Sequence, residues 1–193
     1  MTRIIGGEAG GRRIKAPSGT STRPTSDRVR EALFSALTAW AGTPAAAPEA
    51  TLDGLSFCDL YAGSGAVGLE AASRGAAPVL LVEGDRRTAQ ITRRNAEQLG
   101  LVVEVRALRV ETMLAQTAAR RYDIFFADPP YELATETLDQ LLALLWQHGW
   151  IAEHGLVVVE RSRRTPPPGW PAAVTDSWSR TYGETIVYFG GTS

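Results

Sequence analysis

The feature that most constrains the fold is a glycine-rich loop between an apolar strand and a helix. The loop reads Gly63-Ser-Gly65-Ala-Val-Gly68, and Glu83 closes the next apolar run. Glycines at this spacing let the backbone turn tightly and approach a ligand, and an acid at the second strand end can accept hydrogen bonds from ribose hydroxyls. The pattern therefore predicts a βαβ unit that binds a nucleoside-containing cofactor.

Apolar strand-like runs alternate with helical stretches along residues 52–193, which predicts a parallel sheet with helices on both faces. The predicted strands are 55–60, 79–82, 102–106, 122–127 and 156–160, and the predicted helices lie near 66–74, 86–99, 111–118 and 134–146. Residues 174–182 and 184–189 meet at Gly183 with no room for a helix, which predicts an antiparallel hairpin. We expect a doubly wound α/β domain that binds ligands beyond the carboxyl ends of its strands.

Residues 1–41 precede this catalytic domain as a predicted hairpin and helix, and residues 42–51 are a predicted linker. Ser26 is the expected N-cap of the helix. Residues 1–30 hold seven basic and two acidic side chains, a net charge of +5, whereas the rest of the chain is at −6. This asymmetry indicates that the segment faces a polyanion, although the charge alone is equally compatible with a solvated surface.

Two cofactors compete for the glycine loop, because nicotinamide dinucleotides use the same spacing. Asp59 lies just upstream, where a carboxylate would repel a pyrophosphate and favour the ammonium group of S-adenosylmethionine. We therefore favour the methyl donor. The alternative role for Asp59 is that of a strand-end carboxylate that caps the loop. Asp85, which also lies near Glu83, is expected to be a helix N-cap. The candidate cofactor-binding residues here are Asp59, Tyr61, Gly63, Ser64, Gly65 and Glu83.

A second motif, Asp128-Pro129-Pro130-Tyr131, follows the predicted strand 122–127 at the same edge of the sheet. The prolines stiffen the turn, so the Pro129 carbonyl and the Asp128 carboxylate are expected to form two fixed acceptors for the hydrogens of an amino group. Tyr131 offers a ring on which a planar base can stack. All four are candidate catalytic residues for methyl transfer to an exocyclic amine, with Asp128 also beside the cofactor. Guanine N2, adenine N6 and cytosine N4 are all compatible targets.

The remaining reactive side chains are expected to be structural. Cys58 is the only cysteine, which excludes an internal disulfide, and its place within a strand predicts burial. His148 and His154 lack partner ligands, so no metal is expected, and Asn95 is expected to be a solvated helical residue. No apolar run approaches the roughly 18 residues of a membrane span. We expect a cytoplasmic monomer without a membrane partner.

Taken together, these motifs resemble the RsmD family of 16S rRNA guanine-N2 methyltransferases along essentially the whole chain. The matching segments are Arg3-Ile-Ile-x-Gly, Arg23 to Phe34, Ala62 to Ala71, Ser73 to Ala76, Val82-Glu83, Asn95 and Asp128 to Tyr131. The resemblance implies a Rossmann-like class I methyltransferase sheet whose last strand is antiparallel. It also implies methyl transfer to N2 of one guanine, with the 30S subunit or its assembly intermediate as partner.

The resemblance also assigns residues to the two ligands. It places Thr25, Asp59, Gly63 and Gly65 near the methionine end of the donor, Glu83 at its ribose, and residues 128–131 at the target base. The charge of the basic segment, rather than the resemblance, gives the expected RNA-binding residues, which are Arg3, Arg12, Arg13, Lys15 and Arg23.

One position departs from the pattern of many methyltransferases, which have an acid after the third strand to bind the donor's adenine. Here the stretch is Leu108-Arg-Val-Glu, so a backbone contact at Val110 is expected instead. Three rival functions are a DNA adenine-N6 methyltransferase, a dinucleotide-dependent oxidoreductase and a non-catalytic RNA-binding module. The chain has no spare domain to read DNA bases, and Asp59 and the intact motif at 128–131 disfavour the other two.

Overall fold

The computed structural model of this protein describes residues 2–17 and 26–192. Its helices are α1 (Asp27–Trp40), α2 (Ala66–Ser73), α3 (Arg86–Leu99), α4 (Val110–Leu114) and α5 (Thr135–Gln147). Its strands are β1 (Thr2–Arg3), β2 (Arg13–Ile14), β3 (Phe57–Leu60), β4 (Val79–Glu83), β5 (Glu104–Ala107), β6 (Tyr122–Ala127), β7 (Ile151–Ser162), β8 (Asp176–Tyr182) and β9 (Thr185–Gly191). A 3-10 turn at Pro48–Ala50 lies within the segment predicted as a linker.

The main sheet has seven strands in the order β5-β4-β3-β6-β7-β9-β8. Strands β3 to β7 run parallel, and β9 is antiparallel to both of its neighbours, β7 and β8. The predicted α/β class and C-terminal hairpin are therefore confirmed. Strands β4 and β5 are added on one side of β3, and β6 and β7 on the other. The point between β3 and β6 where the strand order changes direction is the position where ligands bind in doubly wound folds.

Alternate residues of the central strands enter two separate apolar layers. Phe57, Leu81 and Phe126 pack on the face covered by α1 to α3, whereas Cys58 and Phe125 pack on the face covered by α4 and α5. All five side chains are at most 2 % exposed. Both faces are covered because strands of a parallel sheet are connected by crossover helices.

The N-terminal hairpin packs directly on the main domain. Ile4, Ala9 and Ile14 are buried in the same apolar cluster as α1 and α2. The buried Glu70 carboxylate accepts hydrogen bonds from the amides of Ile5 and Gly6 at 2.6 and 2.8 Å. This segment therefore shares the core of the catalytic domain, while the predicted boundary at residues 42–51 stays a prediction.

Several predicted element bounds differ from the structure. Strand β7 begins five residues before the predicted 156 and continues two residues beyond 160, because it pairs with β9 as well as β6. Val102, predicted to start a strand, is 94 % exposed and precedes β5. Helix α4 ends at Leu114, four residues before the predicted end. Both predicted helix N-caps are confirmed. Oγ of Ser26 accepts a hydrogen bond from the Val29 amide, and Oδ1 of Asp85 accepts one from the Thr88 amide.

Candidate functional site

The two predicted ligand motifs lie at one edge of the sheet, where strands β3, β4, β6 and β7 end. The glycine loop, residues 61–68, follows β3, and Glu83 is the last residue of its neighbour β4. Asp128 follows β6, the neighbour of β3 on the other side. Because parallel strands present their carboxyl ends together, this edge places a cofactor loop beside the predicted catalytic turn.

The glycine loop has a backbone conformation that most residues cannot adopt. Gly63 and Gly65 have φ values of 55° and 82°, and Tyr61 has a φ of 64°, which is unusual for a residue with a side chain. A Cβ at Gly65 would also lie 2.8 Å from Cγ2 of Thr92, closer than packed side chains approach. The requirement for glycine at Gly65 is therefore both conformational and steric.

Glu83 supports this loop through both of its carboxylate oxygens. The Gly63 amide donates to Oε2 at 2.9 Å, and the Asp85 amide donates to Oε1 at 2.7 Å. Each oxygen retains a second lone pair, so the carboxylate can still accept from a vicinal diol. Glu83 is thus held in place before any ligand arrives.

The structure places Asp59 beneath the loop. Asp59 is only 2 % exposed, and its Oδ2 accepts a hydrogen bond from the Gly68 amide at 2.8 Å. Burial raises the pKa of this carboxyl from 3.8 to about 7. The hydrogen bond from the Gly68 amide lowers this pKa, and the negative charge of Glu83 raises it further. The geometry is that of the capping carboxylate considered from the sequence, and direct contact of Asp59 with a ligand stays a prediction.

Two polar residues of α3, Thr92 and Asn95, contact the loop from the other side, and neither contact was predicted from the sequence. Thr92 Oγ1 donates to the Gly63 carbonyl at 2.6 Å. The Asn95 amide group donates to the carbonyls of Ser64 and Lys15, both at 2.9 Å, and its oxygen accepts from the Lys15 amide at 3.0 Å. The expectation that Asn95 is solvated is wrong, since it is 1 % exposed and connects the basic segment to the glycine loop.

A sequence signal for Asn95 does exist. Thr88, Thr92 and Asn95 recur at helical spacing with the apolar Ala96 and Leu99 on the buried face of α3. A polar side chain on such a face is buried, and a buried amide requires hydrogen-bond partners. Helical spacing therefore indicates burial of Asn95, contrary to the expectation that it is solvated, whereas the identity of its partners depends on the fold.

The remaining candidate cofactor contacts surround the loop. Val110 is the first residue of α4 and is 2 % exposed, next to the end of β5. The Tyr61 hydroxyl is buried without a hydrogen-bond partner among the described residues. Burial, and to a smaller extent the negative charge of Glu111, raises the pKa of this hydroxyl above its ordinary range. Thr25 lies outside the described residues.

The predicted catalytic turn lines a cleft between the ends of β6 and β7. Pro129 is buried, Pro130 is exposed, and Tyr131 is 57 % exposed. The Leu133 amide donates to the Pro130 carbonyl at 3.0 Å, which closes the turn. The lining of this β6–β7 cleft comprises Asp128, Pro129, Tyr131, Glu160, Arg161, Ser162 and Thr185. Glu160 and Arg161 were not predicted from the sequence.

The basic side chains of the N-terminal segment have different environments. Nε of Arg3 pairs with Asp27 at 3.2 Å, and the buried Arg30 guanidinium also pairs with Asp27, at 2.8 Å. Arg12 donates to the Leu99 carbonyl at 2.7 Å and to the Gln98 carbonyl, so it caps the end of α3. Arg13 and Lys15 are exposed on the same hairpin, and Arg23 lies outside the described residues. The contact of these cations with RNA stays a prediction.

The other reactive side chains are placed as follows. Cys58 is buried, as predicted, and burial raises the pKa of its thiol. Nδ1 of His148 lies 2.6 Å from the Leu114 carbonyl. Across residues 2–17 and 26–192 no group of three His, Cys, Asp or Glu side chains is arranged to hold a metal ion. No helix in the described part of the chain is long and apolar enough to cross a membrane.

The parallel sheet, the glycine loop and the Asp-Pro-Pro-Tyr turn define a class I methyltransferase of Rossmann-like fold. The family model for "Conserved hypothetical protein 95" matches residues 2–191. The chain is 37 % identical to ribosomal RNA small subunit methyltransferase D of Escherichia coli K12 over 92 % of this chain and 81 % of that protein. The chain therefore belongs to this family, and the resemblance read from its motifs is confirmed.

Solved structures agree with this fold. A hypothetical protein of Thermus thermophilus matches with a TM-score of 0.78 and 32 % identity, over 98 % of both chains. The T. thermophilus 16S rRNA N2 G1207 methyltransferase (RsmC), solved with AdoMet and guanosine, matches with a TM-score of 0.65. At 20 % identity, over 91 % of this chain and 45 % of that one, this second likeness shows the fold alone.

Proposed function

We propose that this protein transfers a methyl group from S-adenosylmethionine to N2 of one guanine in 16S rRNA. The observation that carries the proposal is the Asp128 to Tyr131 turn at the end of β6, one strand away from the glycine loop. Membership of the family of ribosomal RNA small subunit methyltransferase D supports rRNA as the substrate. The choice of guanine N2 rests on the family resemblance.

The hydrogen bonds of the glycine loop favour a methyl donor over a dinucleotide. A phosphate-binding loop leaves its amides available to phosphate oxygens. Here the amides of Gly63, Gly65 and Gly68 already donate to Glu83, to the Ala62 carbonyl and to Asp59. Two of these acceptors are carboxylates, which repel a pyrophosphate and attract the ammonium group of a methionine moiety. The loop therefore fits S-adenosylmethionine, with Glu83 on its ribose and Val110 beside its adenine.

When bound, S-adenosylmethionine supplies an electrophilic methyl group. The residues of the turn prepare the acceptor: the Asp128 carboxylate and the Pro129 carbonyl accept the two hydrogens of the guanine amine, and Tyr131 stacks on the ring. Two fixed acceptors localise the nitrogen lone pair toward the methyl, which is positional and electrostatic catalysis. Asp128 then takes the proton that the amine loses as the N–C bond forms.

The basic segment is the proposed rRNA contact. Arg13 and Lys15 are exposed, and Asn95 holds their hairpin against the glycine loop. Each phosphate contact that is removed should lower the log-log salt slope of RNA binding by roughly 0.7. Replacing both residues with alanine is therefore expected to flatten that slope by roughly 1.4, measured by filter binding against salt. The double variant of Arg120→Ala and Arg121→Ala, two exposed positions just before β6, is the charge-matched control. A slope equal to that of wild type in the Arg13 and Lys15 double variant would exclude these contacts.

The test of the proposed function is methyl transfer to small ribosomal subunits. Subunits, assembly intermediates and bare 16S rRNA from cells lacking the gene are incubated with the protein and labelled S-adenosylmethionine, and the nucleosides are separated by mass spectrometry. We expect N2-methylguanosine at one position, with subunits or assembly intermediates better substrates than bare RNA. A product on adenine N6 of the rRNA would replace the proposal with its nearest rival.

A further inference from the structure

A short basic turn lies directly beside the catalytic turn, at the edge of the sheet that carries the candidate site. Ser162, the last residue of β7, lines the β6–β7 cleft together with Tyr131. Arg163 and Arg164 follow at once, and both side chains are exposed. Because consecutive Cα atoms are about 3.8 Å apart, these two cations start within two residues of the cleft. Residues 162–165 thus form a basic turn next to the position proposed for the target base.

The basic turn belongs to an otherwise acidic part of the chain. Residues 31–193 carry a net charge of −6. Within them, no other four consecutive positions hold three basic residues, as Arg161, Arg163 and Arg164 do. A local excess of positive charge raises the local concentration of an anionic partner. The candidate partner of this turn is therefore an anion.

Hydrogen bonds fix the backbone of the basic turn and use its amides. The Arg163 amide donates to the Glu184 carbonyl at 2.9 Å, and the Arg164 amide donates to Oγ of Ser162 at 3.2 Å. Thr165 donates to the Ser162 carbonyl through its amide, at 3.1 Å, and through its hydroxyl, at 2.7 Å. Since all three amides are occupied, an anion at this turn is bound by the guanidinium groups.

The two guanidinium groups are available for such a partner. The Arg164 side chain is 87 % exposed and lies 3.8 Å from the Glu184 carboxylate, which is 67 % exposed. Exposed ion pairs of this kind contribute little because water and salt screen them, so a phosphate can replace Glu184 at small cost. The Arg163 side chain forms no hydrogen bond or ion pair with another residue of 2–17 or 26–192.

The basic turn and the N-terminal hairpin lie on opposite sides of the catalytic turn. Asn95 ties the hairpin to the glycine loop, which follows β3. The basic turn follows β7, and β6, which leads into the catalytic turn, lies between β3 and β7 in the sheet. An RNA strand that contacts both basic surfaces therefore crosses the exposed ring of Tyr131.

We propose that Arg163 and Arg164 bind the RNA phosphates next to the target nucleotide, an inference that rests on the proposed function. A guanidinium group donates two parallel hydrogen bonds to phosphate oxygens, and such contacts fix the position of a nucleic acid without reading its bases. The basic turn thereby holds the nucleotide at the catalytic turn, while Arg13 and Lys15 hold another part of the same rRNA.

The test compares three double variants with wild type. Arg163→Ala with Arg164→Ala removes both proposed contacts, whereas Arg163→Lys with Arg164→Lys keeps the charge. Arg120→Ala with Arg121→Ala removes two exposed cations just before β6, at the opposite edge of the sheet. Binding to small subunits from cells lacking the gene is measured against salt. KM and kcat for methylation of the same subunits and the affinity for the donor are measured as well.

We expect the alanine variant of the basic turn to lower the log-log salt slope by roughly 1.4, since each lost phosphate contact accounts for roughly 0.7. Its KM for subunits should rise by about 5- to 30-fold, while its affinity for the donor stays within about twofold of wild type. The lysine variant and the variant of Arg120 and Arg121 should keep the wild-type slope. An unchanged slope and KM in the alanine variant would exclude the proposed contacts.

Phosphate ethylation locates the contact on the RNA. Subunits ethylated at random phosphates are sorted by binding, and the ethylated positions that prevent binding are mapped on the 16S rRNA. With wild type, ethyl groups next to the methylated nucleotide should prevent binding, whereas with the alanine variant they should have no further effect. The same interference in both proteins would show that other residues bind these phosphates and would overturn the proposal.

Failure of this inference and failure of the proposed function give different results. If wild type forms N2-methylguanosine but the alanine variant has the slope, KM and interference of wild type, the basic turn is excluded and the proposed function stands. If wild type forms no N2-methylguanosine in the rRNA, the proposed function is overturned, and this inference with it.

Discussion

The glycine loop and the β6–β7 cleft lie on the same edge of one sheet, yet their polar groups are used differently. In the loop, carboxylates of Asp59 and Glu83 are hydrogen-bonded to backbone amides of the same chain. In the cleft, Tyr131 is exposed and Arg161 has a buried donor without a described partner. The comparison indicates that the proposed donor site is preorganised by backbone amides of the same chain, whereas the proposed base site keeps one buried donor outside such a network.

The largest expected effect comes from the cleft. Asp128→Asn keeps the size of the side chain but removes the charge and one acceptor, so methyl transfer should fall by about 10²- to 10³-fold. Donor affinity, measured by calorimetry, should stay within about twofold of wild type, since the loop is supported independently. Glu132→Gln, an exposed carboxylate in the same turn, is the control. A wild-type rate for Asp128→Asn would rule out the proposed chemistry.

The loop should show the reverse pattern. Glu83→Ala removes the acceptor for the Gly63 and Asp85 amides as well as the expected ribose contact, so donor affinity should fall by about 10- to 100-fold. At saturating donor the transfer rate should recover to near wild type. Glu97→Ala, exposed on α3, controls for a lost carboxylate. If Glu83→Ala lowered the saturated rate as much as the affinity, the two regions would not be independent.

A third variant tests the connection between the loop and the basic segment. Asn95→Ala leaves the Ser64 carbonyl and both backbone groups of Lys15 without their partner, which should cost about 2–4 kcal/mol of unfolding free energy. Donor and RNA affinity should both weaken in this variant. Gln90→Ala, exposed on the same helix, should change stability by less than about 0.5 kcal/mol in urea titrations. Equal stability of the two variants would mean that Asn95 does not hold these segments together.

The features of the site that the sequence could predict are those that depend on neighbouring residues, and the features that it could not predict depend on distant ones. The glycine loop, Glu83 and the Asp128 turn follow from local patterns, because strand ends, glycines and prolines act within a few residues. Asn95 and Glu70 bind backbone groups more than 60 residues away, and these pairings depend on how the N-terminal hairpin docks. The Arg161 contact in the cleft depends on how far β7 extends past β6, which strand pairing rather than local propensity determines.

The effect expected to change activity least concerns the pH dependence of stability, through Asp59. Burial raises its pKa in the folded protein to about 7 from 3.8, so between these values the folded state binds a proton that the unfolded state has lost. Stability must therefore fall as pH rises through this window, with the full penalty present above about pH 7. Asp59→Asn keeps an oxygen for the Gly68 amide but does not titrate, so its stability should lack this decline.

Thermal melts of wild type and Asp59→Asn from pH 5 to pH 8 measure this effect, because other titrating groups cancel in the difference. One pKa unit corresponds to about 1.4 kcal/mol, and each kcal/mol shifts the Tm of a chain of this size by about 2–4 °C. The Tm of wild type should therefore decline by several degrees relative to the variant across this range. A difference that does not change with pH would show that Asp59 stays ionised in the folded protein without a ligand. The same melts repeated with saturating donor then separate these cases, since an ammonium contact would reduce the decline in wild type and leave the variant unchanged.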